Sequence, residues 1–379
     1  MKWRIIIIII IAAVSTAATV ARSGHELPVY PSYYPHEIEI ASIAPERAAS
    51  LLRDGKMHAY VGGPPHFADT VPEPIRAVES LGAFLTVRVN PASRLAVEEA
   101  SACAAIRAVV RDIATNADVV LHPYPVTPFH GDYLHHVDRA EGATSALLGH
   151  DPAAPAIRDL KVRARGAAAN RLRHADQAAP DLWDVEIQET AVSALVASTT
   201  TAINGWLGPP WLKTGWYQAY LLLGDAIDST ARERVEGKLR QRQSGEIGDP
   251  VDRINLERDL VAALTGGCRK IVIGYTVKRE YYSAEFSAGI ENIAYDTLQG
   301  FSSPMFIRTV KLKDFPWNGW LALGIDARSQ AAWNPIAGFT DPFGRLMWAA
   351  LGDPAALPSP YDAGWVFNRI SDVEPAPRR

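Results

Sequence analysis

The chain has few cysteines and an uneven distribution of two other side chains. Cysteine occurs only at positions 103 and 268 of the 379 residues. No histidine follows His174, and Trp3 is the one tryptophan before Trp183. Two cysteines cannot form the dense disulfide framework of a small secreted domain. The separation of histidine from tryptophan indicates that the two halves of the chain carry different chemistry.

Catalytic motifs and strong charge are also absent. The sequence contains no glycine-rich phosphate loop, no Gly-x-Ser-x-Gly nucleophile elbow and no Cys-x-x-Cys-His haem motif. Its formal net charge is -4, so it has no positive field that would attract nucleic acid. One basic cluster lies between Arg158 and Arg173, and we interpret it as an exposed linker or helix face.

The N-terminus has the order of a secretory signal. A basic start precedes the isoleucine run from Ile5 to Ile11, and small residues lead to Ala21. The alternative is an uncleaved anchor, because this apolar stretch approaches the shortest length that spans a bilayer. Either prediction puts the rest of the protein in the periplasm or another extracytoplasmic space. If the segment is retained as an anchor, we expect the protein to contact the membrane only through it. There Cys103 and Cys268 would form either one disulfide or two buried thiols.

Strand and helix patterns alternate in the first half of the chain. This alternation favours an α/β fold, with a mixed or parallel sheet covered by helices on both faces. The second half favours an α+β structure with long irregular segments rich in tryptophan, proline and glycine. The predicted organisation is a signal peptide or anchor at 1–21, an α/β lobe with a histidine-rich loop at 25–150, a basic linker at 151–180 and a tryptophan-rich second lobe at 181–379.

Turn and capping residues predict the boundaries of several elements. Asn or Asp followed by proline is typical of a helix start, because the first caps the helix and proline suits its first turn. The patterns predict a helix over 72–81, a strand over 83–89, a helix that begins at Asn90-Pro91, a helix over 250–264 and a strand over 306–312.

Two histidine-bearing loops, 62–66 and 122–132, each follow a predicted strand. Ligands of open α/β sheets bind beyond the carboxyl ends of the strands. We therefore expect both loops on one rim of the sheet. The predicted ligand-binding residues of these loops are His66, His122, Tyr124, His130 and Asp132.

Histidines and aspartates crowd into the segment 122–138, which allows three interpretations. The first is a divalent metal ion, zinc or copper, for which the predicted ligands are His130, Asp132, His135 and His136. The second is metal-free acid and base catalysis by a histidine and aspartate pair. The third is structural, with the imidazoles holding a proline-rich loop. The spacing matches no standard metal motif.

Tryptophans of the second half provide another candidate site. Trp206 and Trp211 lie in the turn-rich segment 204–216, where exposed indoles could stack on sugars, flat rings or cations. The alternative is that these rings fill the core between irregular segments. Trp206 and Trp211 complete the set of predicted ligand-binding residues.

Residues 51–62 read Leu-Leu-Arg-Asp-Gly-Lys-Met-His-Ala-Tyr-Val-Gly, a helix that ends at glycine and leads into a short strand. This stretch resembles the second strand of type 2 periplasmic solute-binding proteins. It departs from that family at Met57-His58, where an acidic residue usually follows the glycine, and no binding residue is carried over. The resemblance implies a two-lobed extracytoplasmic receptor.

The function expected from these features is that of a receptor or carrier. It would be exported and would bind a small polar or aromatic ligand in a cleft between two lobes. A metal-dependent, hydrolase-like enzyme that uses the segment 122–138 is the alternative. A third hypothesis is an envelope assembly or interaction protein, because the tryptophan-rich half could dock a partner.

Overall fold

The computed structural model describes residues 35–113, 119–149, 159–172, 182–197, 210–245, 247–314, 319–329, 341–352, 355–360, 362–368 and 370–371. The predicted signal or anchor at 1–21 and part of the predicted linker at 151–180 lie outside these ranges. In the described part of the chain, no helix has both the length and the apolar character needed to cross a membrane.

The strands vary from two to fifteen residues in length. They are β1 (Glu37–Ser42), β2 (Ala59–Val61), β3 (Ile75–Val89), β4 (Val120–Leu121), β5 (Val162–Arg165), β6 (Val185–Ala191), β7 (Lys270–Ser283), β8 (Ile290–Glu291), β9 (Lys311–Leu312), β10 (Trp320–Ile325), β11 (Ala356–Pro358) and β12 (Trp365–Phe367).

The helices are mostly short. They are α1 (Pro45–Arg53), α2 (Glu99–Ile113), α3 (Val137–Leu148), α4 (Ala167–Arg171), α5 (Val192–Ala197), α6 (Gly215–Leu223), α7 (Ser229–Ser244), α8 (Pro250–Leu264), α9 (Pro304–Thr309) and α10 (Pro342–Leu351). Single 3₁₀ turns occur at Arg94–Ala96, Tyr133–His135 and Pro210–Lys213.

One mixed sheet organises the fold. Its strand order is β1-β10-β2-β7-β3-β6-β5, and β4 also pairs with β7. The β1-β10, β10-β2 and β5-β6 pairs are parallel, and the other pairs are antiparallel. The predicted α/β class is thereby confirmed. From β1 to β6 in this order, strands from before residue 150 alternate with strands from after residue 180, so the sheet interleaves the two halves of the chain.

Two long strands, β3 and β7, run through the middle of the sheet. They pair from Ile75 opposite Ser283 to Arg88 opposite Lys270, with irregularities beside Gly82 and after Leu85. The helix predicted over 72–81 is therefore wrong, because this stretch is the first half of β3. Pairing with a strand about two hundred residues away overrides the local preference.

Strands β1, β10 and β2 form the first region of the sheet. Their apolar side chains pack with α9 and α10, and Leu321, Phe306 and Leu346 are all fully buried in that cluster. The strand predicted over 306–312 is also wrong, since α9 occupies most of it. Ser303 caps this helix by accepting a hydrogen bond from the amide of Met305.

The second region of the sheet consists of β6, β5, β4 and the adjoining halves of β3 and β7. Leu85 and Val87 of β3 pack on α2 and α4. Phe84 points to the opposite face and packs with Trp216 of α6 and Leu260 of α8. Alternate residues of one strand thus enter two cores, and helices cover both faces as predicted.

The start of α2 differs from its prediction. The side chain of Asn90 accepts a hydrogen bond from the amide of Ala92, which makes a turn, and the helix begins only at Glu99. Further along that helix, Cys103 forms a disulfide with Cys268, which precedes β7. The disulfide resolves the choice that the sequence left open between a bridge and two thiols.

Candidate functional site

The histidine-rich segment leaves the sheet at the end of β4. Val120 and Leu121 pair with Tyr275 and Gly274 of β7, and the amide of His122 donates to the carbonyl of Ile273. A side chain at position 274 would collide with the carbonyl of Val120. The close approach that this glycine allows holds the start of the segment against the sheet.

His130 is buried and uses both ring nitrogens within the protein. Its Nδ1 accepts a hydrogen bond from the amide of Thr127 at 2.9 Å, so its proton lies on Nε2. Nε2 lies 3.1 Å from Oε1 of Gln218 and donates to it. Burial lowers the pKa of His130. The neutral ring therefore fastens this loop to α6 instead of facing a ligand.

His136 is also buried, and its Nδ1 lies 2.9 Å from the hydroxyl of Tyr124. Burial raises the pKa of Tyr124 to about 12, so the phenol keeps its proton and donates it to the imidazole. Burial lowers the pKa of His136 to about 4. Tyr124 and His136 thus join the two ends of the loop through one internal hydrogen bond.

Asp132 holds the start of a distant helix. Its two carboxylate oxygens accept hydrogen bonds from the amides of Gly215 at 2.8 Å and Trp216 at 3.3 Å, the first residues of α6. These amides have no partner within the helix, and a carboxylate at this end also interacts favourably with the helix dipole. Asp132 therefore acts as a helix cap that comes from another segment.

His122 and His66 lie apart from each other. His122 donates from Nε2 to the carbonyl of Val126 at 2.9 Å. His66 is exposed, and its Nδ1 lies 3.1 Å from a carboxylate oxygen of Glu46 on α1. Strands β2 and β4 pair with the same edge of β7, at residues six positions apart, which is about 20 Å along a strand. The two loops leave the sheet at different places.

Trp211 packs inside the second region. Its ring contacts those of Trp216 and Tyr217, with centroids 6.3 and 4.5 Å away. This arrangement favours the packing interpretation for Trp211. Trp206 lies outside the described residues.

The predicted metal ligands are not brought together. Within the described ranges, one group of three or more potential ligand atoms is close enough to hold an ion, and it consists of Glu99, Cys103 and Cys268. Both of its cysteines are in the disulfide. His130, Asp132, His135 and His136 form no such group, because the first two and His136 are engaged by Gln218, by the amides of α6 and by Tyr124.

Stability should fall as the pH is lowered, because of these buried histidines. His136 has a pKa of about 4 in the folded state, against 6.5 in an unfolded chain. Between those values the unfolded chain binds more protons, so acid favours unfolding by up to about 1.4 kcal/mol per pH unit for one site. Urea titrations across this interval measure the slope. His136→Gln should flatten it, and an equally steep slope in that variant would contradict the prediction.

A cavity of about 420 Å³ lies beside the histidine-rich loop and is called the charged cavity here. Asp132 and His135 line it, together with residues of α7, α8 and the segment 296–298, and with Pro360, Asp362, Ala363 and Gly364. Two ion pairs stand in its wall. Lys213 Nζ lies 2.5 Å from Asp296 Oδ2, and Arg242 Nε lies 2.6 Å from Glu257 Oε1.

A second cavity, about 240 Å³, lies where the two regions of the sheet meet, and we call it the hinge cleft. Gly82 and Lys278 line it from the joining strands, Gly62 and Asp326 from the ends of β2 and β10, and Val192 from α5. Leu298 lines both cavities, so they lie on either side of the segment 296–299.

Charged groups in and next to the hinge cleft differ in how far they are satisfied. Arg345 of α10 lines the cleft, and the charge of Asp341 acts on it. Glu280 is fully buried and accepts hydrogen bonds from the amides of Gly62 and Phe301, both at 2.7 Å. Lys278 donates to the carbonyl of Gln299 and lies 3.4 Å from Glu280. Asp326, in contrast, has no side-chain hydrogen-bond partner among the described residues. Glu280 and Lys278 are therefore held by internal contacts, and the carboxylate of Asp326 is not.

The environment of Asp326 follows from two neighbouring elements. Gly62 has a φ of +110°, and a side chain there would collide with Asp326 and Phe343. Partial desolvation raises the pKa of Asp326; Lys278 opposes this shift and Glu280 adds to it. The sequence pattern does not point to Asp326, because it predicts long irregular segments in the second half and does not predict β10, the strand that ends beside this residue.

No family model matches the chain, and no curated protein matches it. Solved structures of similar fold include NikZ from Campylobacter jejuni in complex with Ni(L-His), at 12% identity and a TM-score of 0.34, over 66% of this chain and 56% of that one. AppA from Bacillus subtilis, an oligopeptide-binding protein in complex with a nonapeptide, has 12% identity and a TM-score of 0.37, over 71% and 59% of the two chains. HbpA2 from Haemophilus parasuis has 11% identity and a TM-score of 0.41, over 70% and 56%.

These similar structures include periplasmic binding proteins, the class that residues 51–62 also resemble. The likeness is one of fold, and the ligands of those structures belong to those proteins. This chain spans between half and three fifths of their length.

Proposed function

We propose that this protein is an extracytoplasmic carrier that binds a small solute with a positively charged amino group in the hinge cleft. The observation that carries this proposal is the carboxylate of Asp326, which accepts no hydrogen bond from another residue among those the structure describes. A carboxylate in a partly dry cleft is costly unless a cation or hydrogen-bond donors satisfy it. Because Lys278 is already engaged by Gln299 and Glu280, an ammonium group of the solute is the natural counter-ion.

The position of the cleft supports a binding role. Its walls come from both regions of the sheet, which share the long strands β3 and β7, and Gly82 lies at an irregularity of that pairing. Small changes in the twist of two strands can move such regions relative to each other. We propose that the two regions act as lobes that close on the solute. The signal-like N-terminus and the disulfide agree with a place outside the cytoplasm.

Solutes bound by the similar structures suggest which compounds to test. Those structures hold peptides and a nickel-histidine complex, and short peptides and amino acids carry the ammonium group that Asp326 would bind. The metal-dependent enzyme remains the less favoured alternative, because the described histidines and aspartates form no metal-ligand group.

Asp326→Asn should weaken binding of such solutes by about tenfold to a hundredfold, because the amide cannot neutralise an ammonium group. A thermal-shift screen of amino acids, short peptides and polyamines identifies binders of the wild type, and calorimetry then compares their affinities in the variant. Asp69→Asn is the matched control, since Asp69 is exposed and does not line the hinge cleft.

Two results would overturn the proposal. One is a screen in which no amine stabilises the wild-type protein. The other is equal affinity in wild type and Asp326→Asn for every amine that binds, which would place the solute elsewhere.

A further inference from the structure

A cluster of three side chains, which we call the sulfur cluster, lies at the start of α2 and lines neither the charged cavity nor the hinge cleft. Glu99 is the first residue of this helix, Cys103 lies one turn later, and Cys268 precedes β7. One oxygen of the Glu99 carboxylate and the two sulfur atoms all lie within 4.8 Å of one another. In the described part of the chain, this is the one group of potential metal ligands with such spacing.

The sulfur cluster is held together by contacts other than the disulfide. The backbone amide of Cys268 donates a hydrogen bond to Oε1 of Glu99, which joins the helix to the segment before β7. The same oxygen lies 4.0 Å from Sγ of Cys103. Ile106 of α2 and Ile273 of β7 are buried in one core, and Cys268 packs against it. When the sulfur–sulfur bond is broken, these contacts keep both thiols beside the carboxylate.

Small molecules can reach the sulfur cluster. Glu99 is exposed, and both cysteines are partly exposed. Glu99 lines a cavity of about 210 Å³, and Cys103 and Cys268 line another of about 250 Å³. Gly266 and Gly267, which have no side chains, line both of these cavities. A soluble reductant and a hydrated metal ion therefore have access to the sulfur and oxygen atoms.

We propose that reduction converts this disulfide into a metal site in which Cys103, Cys268 and Glu99 bind a thiophilic divalent cation such as Zn²⁺. Thiolates and carboxylates are both zinc ligands, and water takes the fourth position in sites with three protein ligands. Sulfur and oxygen ligands of one tetrahedral zinc ion lie about 3.6 Å apart. The 4.0 Å between Glu99 and Cys103 is close to that spacing.

The conversion needs a two-electron reductant, for which the proposal names a dithiol. The dithiol gives two electrons and two protons to the bridge, so the sulfur–sulfur bond breaks, two thiols form and the dithiol becomes a disulfide. Zn²⁺ then replaces the two thiol protons, which pass to the solvent. The loaded site retains one negative charge. Arg107 and Arg269 line the adjoining cavities and can offset this charge.

Cobalt tests the site, because Co²⁺ substitutes for zinc and its bonds to thiolates absorb in the near ultraviolet. The full chain is reduced with dithiothreitol, freed of it by anaerobic gel filtration and titrated with CoCl₂. Reduced wild type should bind one equivalent and show the thiolate band, and Zn²⁺ should then displace the cobalt. The oxidised wild type and Cys103→Ser/Cys268→Ser should show no band.

Glu99→Gln tests the third ligand. Glutamine keeps an oxygen that can accept from the amide of Cys268, but it loses the charge that binds the metal. The thiolate band should remain, and the Kd for Zn²⁺ should rise by about tenfold or more, since even groups outside the coordination shell contribute that much. Glu98→Gln is the matched control, because Glu98 is the exposed neighbour of Glu99 and lines neither adjoining cavity. It should retain the affinity of the wild type.

Urea titrations show whether the site belongs to the folded protein. Zn²⁺ should raise the midpoint of the reduced wild type and leave that of the oxidised protein unchanged. The cobalt band should disappear on unfolding, because 165 residues then separate the two thiols. The proposal is overturned if reduced wild type binds no cobalt, if Zn²⁺ does not raise its midpoint, if the band survives unfolding, or if Glu99→Gln binds zinc as tightly as wild type.

Discussion

Replacement of both cysteines by serine should lower the free energy of unfolding by about 4 to 5 kcal/mol. Cys103 and Cys268 are separated by 165 residues, and a bridge across so long a loop removes much of the freedom of the unfolded chain. This bridge also fastens α2 to the start of β7, where the second region begins. Urea unfolding of wild type and Cys103→Ser/Cys268→Ser at one pH measures the difference.

Reduction provides the control for this prediction. Wild-type protein unfolded with a dithiol reductant should match the double variant, because both have lost the same constraint. An unchanged urea midpoint in the variant would contradict the prediction. It would mean that the bridge does not stabilise the native state relative to the unfolded chain.

Lys213→Met should destabilise the protein by about 3 to 5 kcal/mol, because it leaves a buried charge without its partner. The side chains of Lys213 and Asp296 are only 10% and 3% exposed, and Lys213 also donates to the carbonyl of Ser359. Methionine retains the length of the lysine stem but offers no donor. Urea titration of the variant gives the loss.

The double variant Lys213→Met/Asp296→Asn tests the cause of that loss. Asparagine removes the unpaired charge and keeps the oxygen that accepts from the amides of Leu298 and Gln299. We expect it to recover part of the stability lost in Lys213→Met. If the double variant is less stable than the single one by the full cost of Asp296→Asn alone, the two side chains are independent and the explanation is wrong.

Some elements followed from local chemistry alone. Asp249 caps α8 by accepting from the amide of Val251, Pro250 occupies its first turn, and the helix ends at Leu264 as predicted. α1 likewise begins at a proline, Pro45, and ends at Arg53. In both helices the proline of the first turn and the apolar spacing lie within one short window, so the sequence contains all the information that is needed.

Strand pairing could not be predicted from local sequence signals. Local patterns predict a helix where the first half of β3 lies and do not predict β10, although each is a regular strand in the sheet. Their stability comes from partners far along the chain, such as Ile75 opposite Ser283 and Glu37 opposite Trp320. Local propensity carries little of that information.

The role of each candidate site residue also depends on contacts with residues far away in the sequence. The sequence by itself determined the α/β class, the cap of α8, the proline at which α1 begins and the concentration of histidines in one loop. Only the tertiary structure decided that Asp132 caps a helix 83 residues later, that His130 binds Gln218 88 residues away, and that the Asp326 carboxylate accepts no hydrogen bond from another described residue. Residue type and spacing show which groups could take part in chemistry, but a side chain becomes a cap, a structural contact or a ligand-binding group according to the partners that folding brings to it.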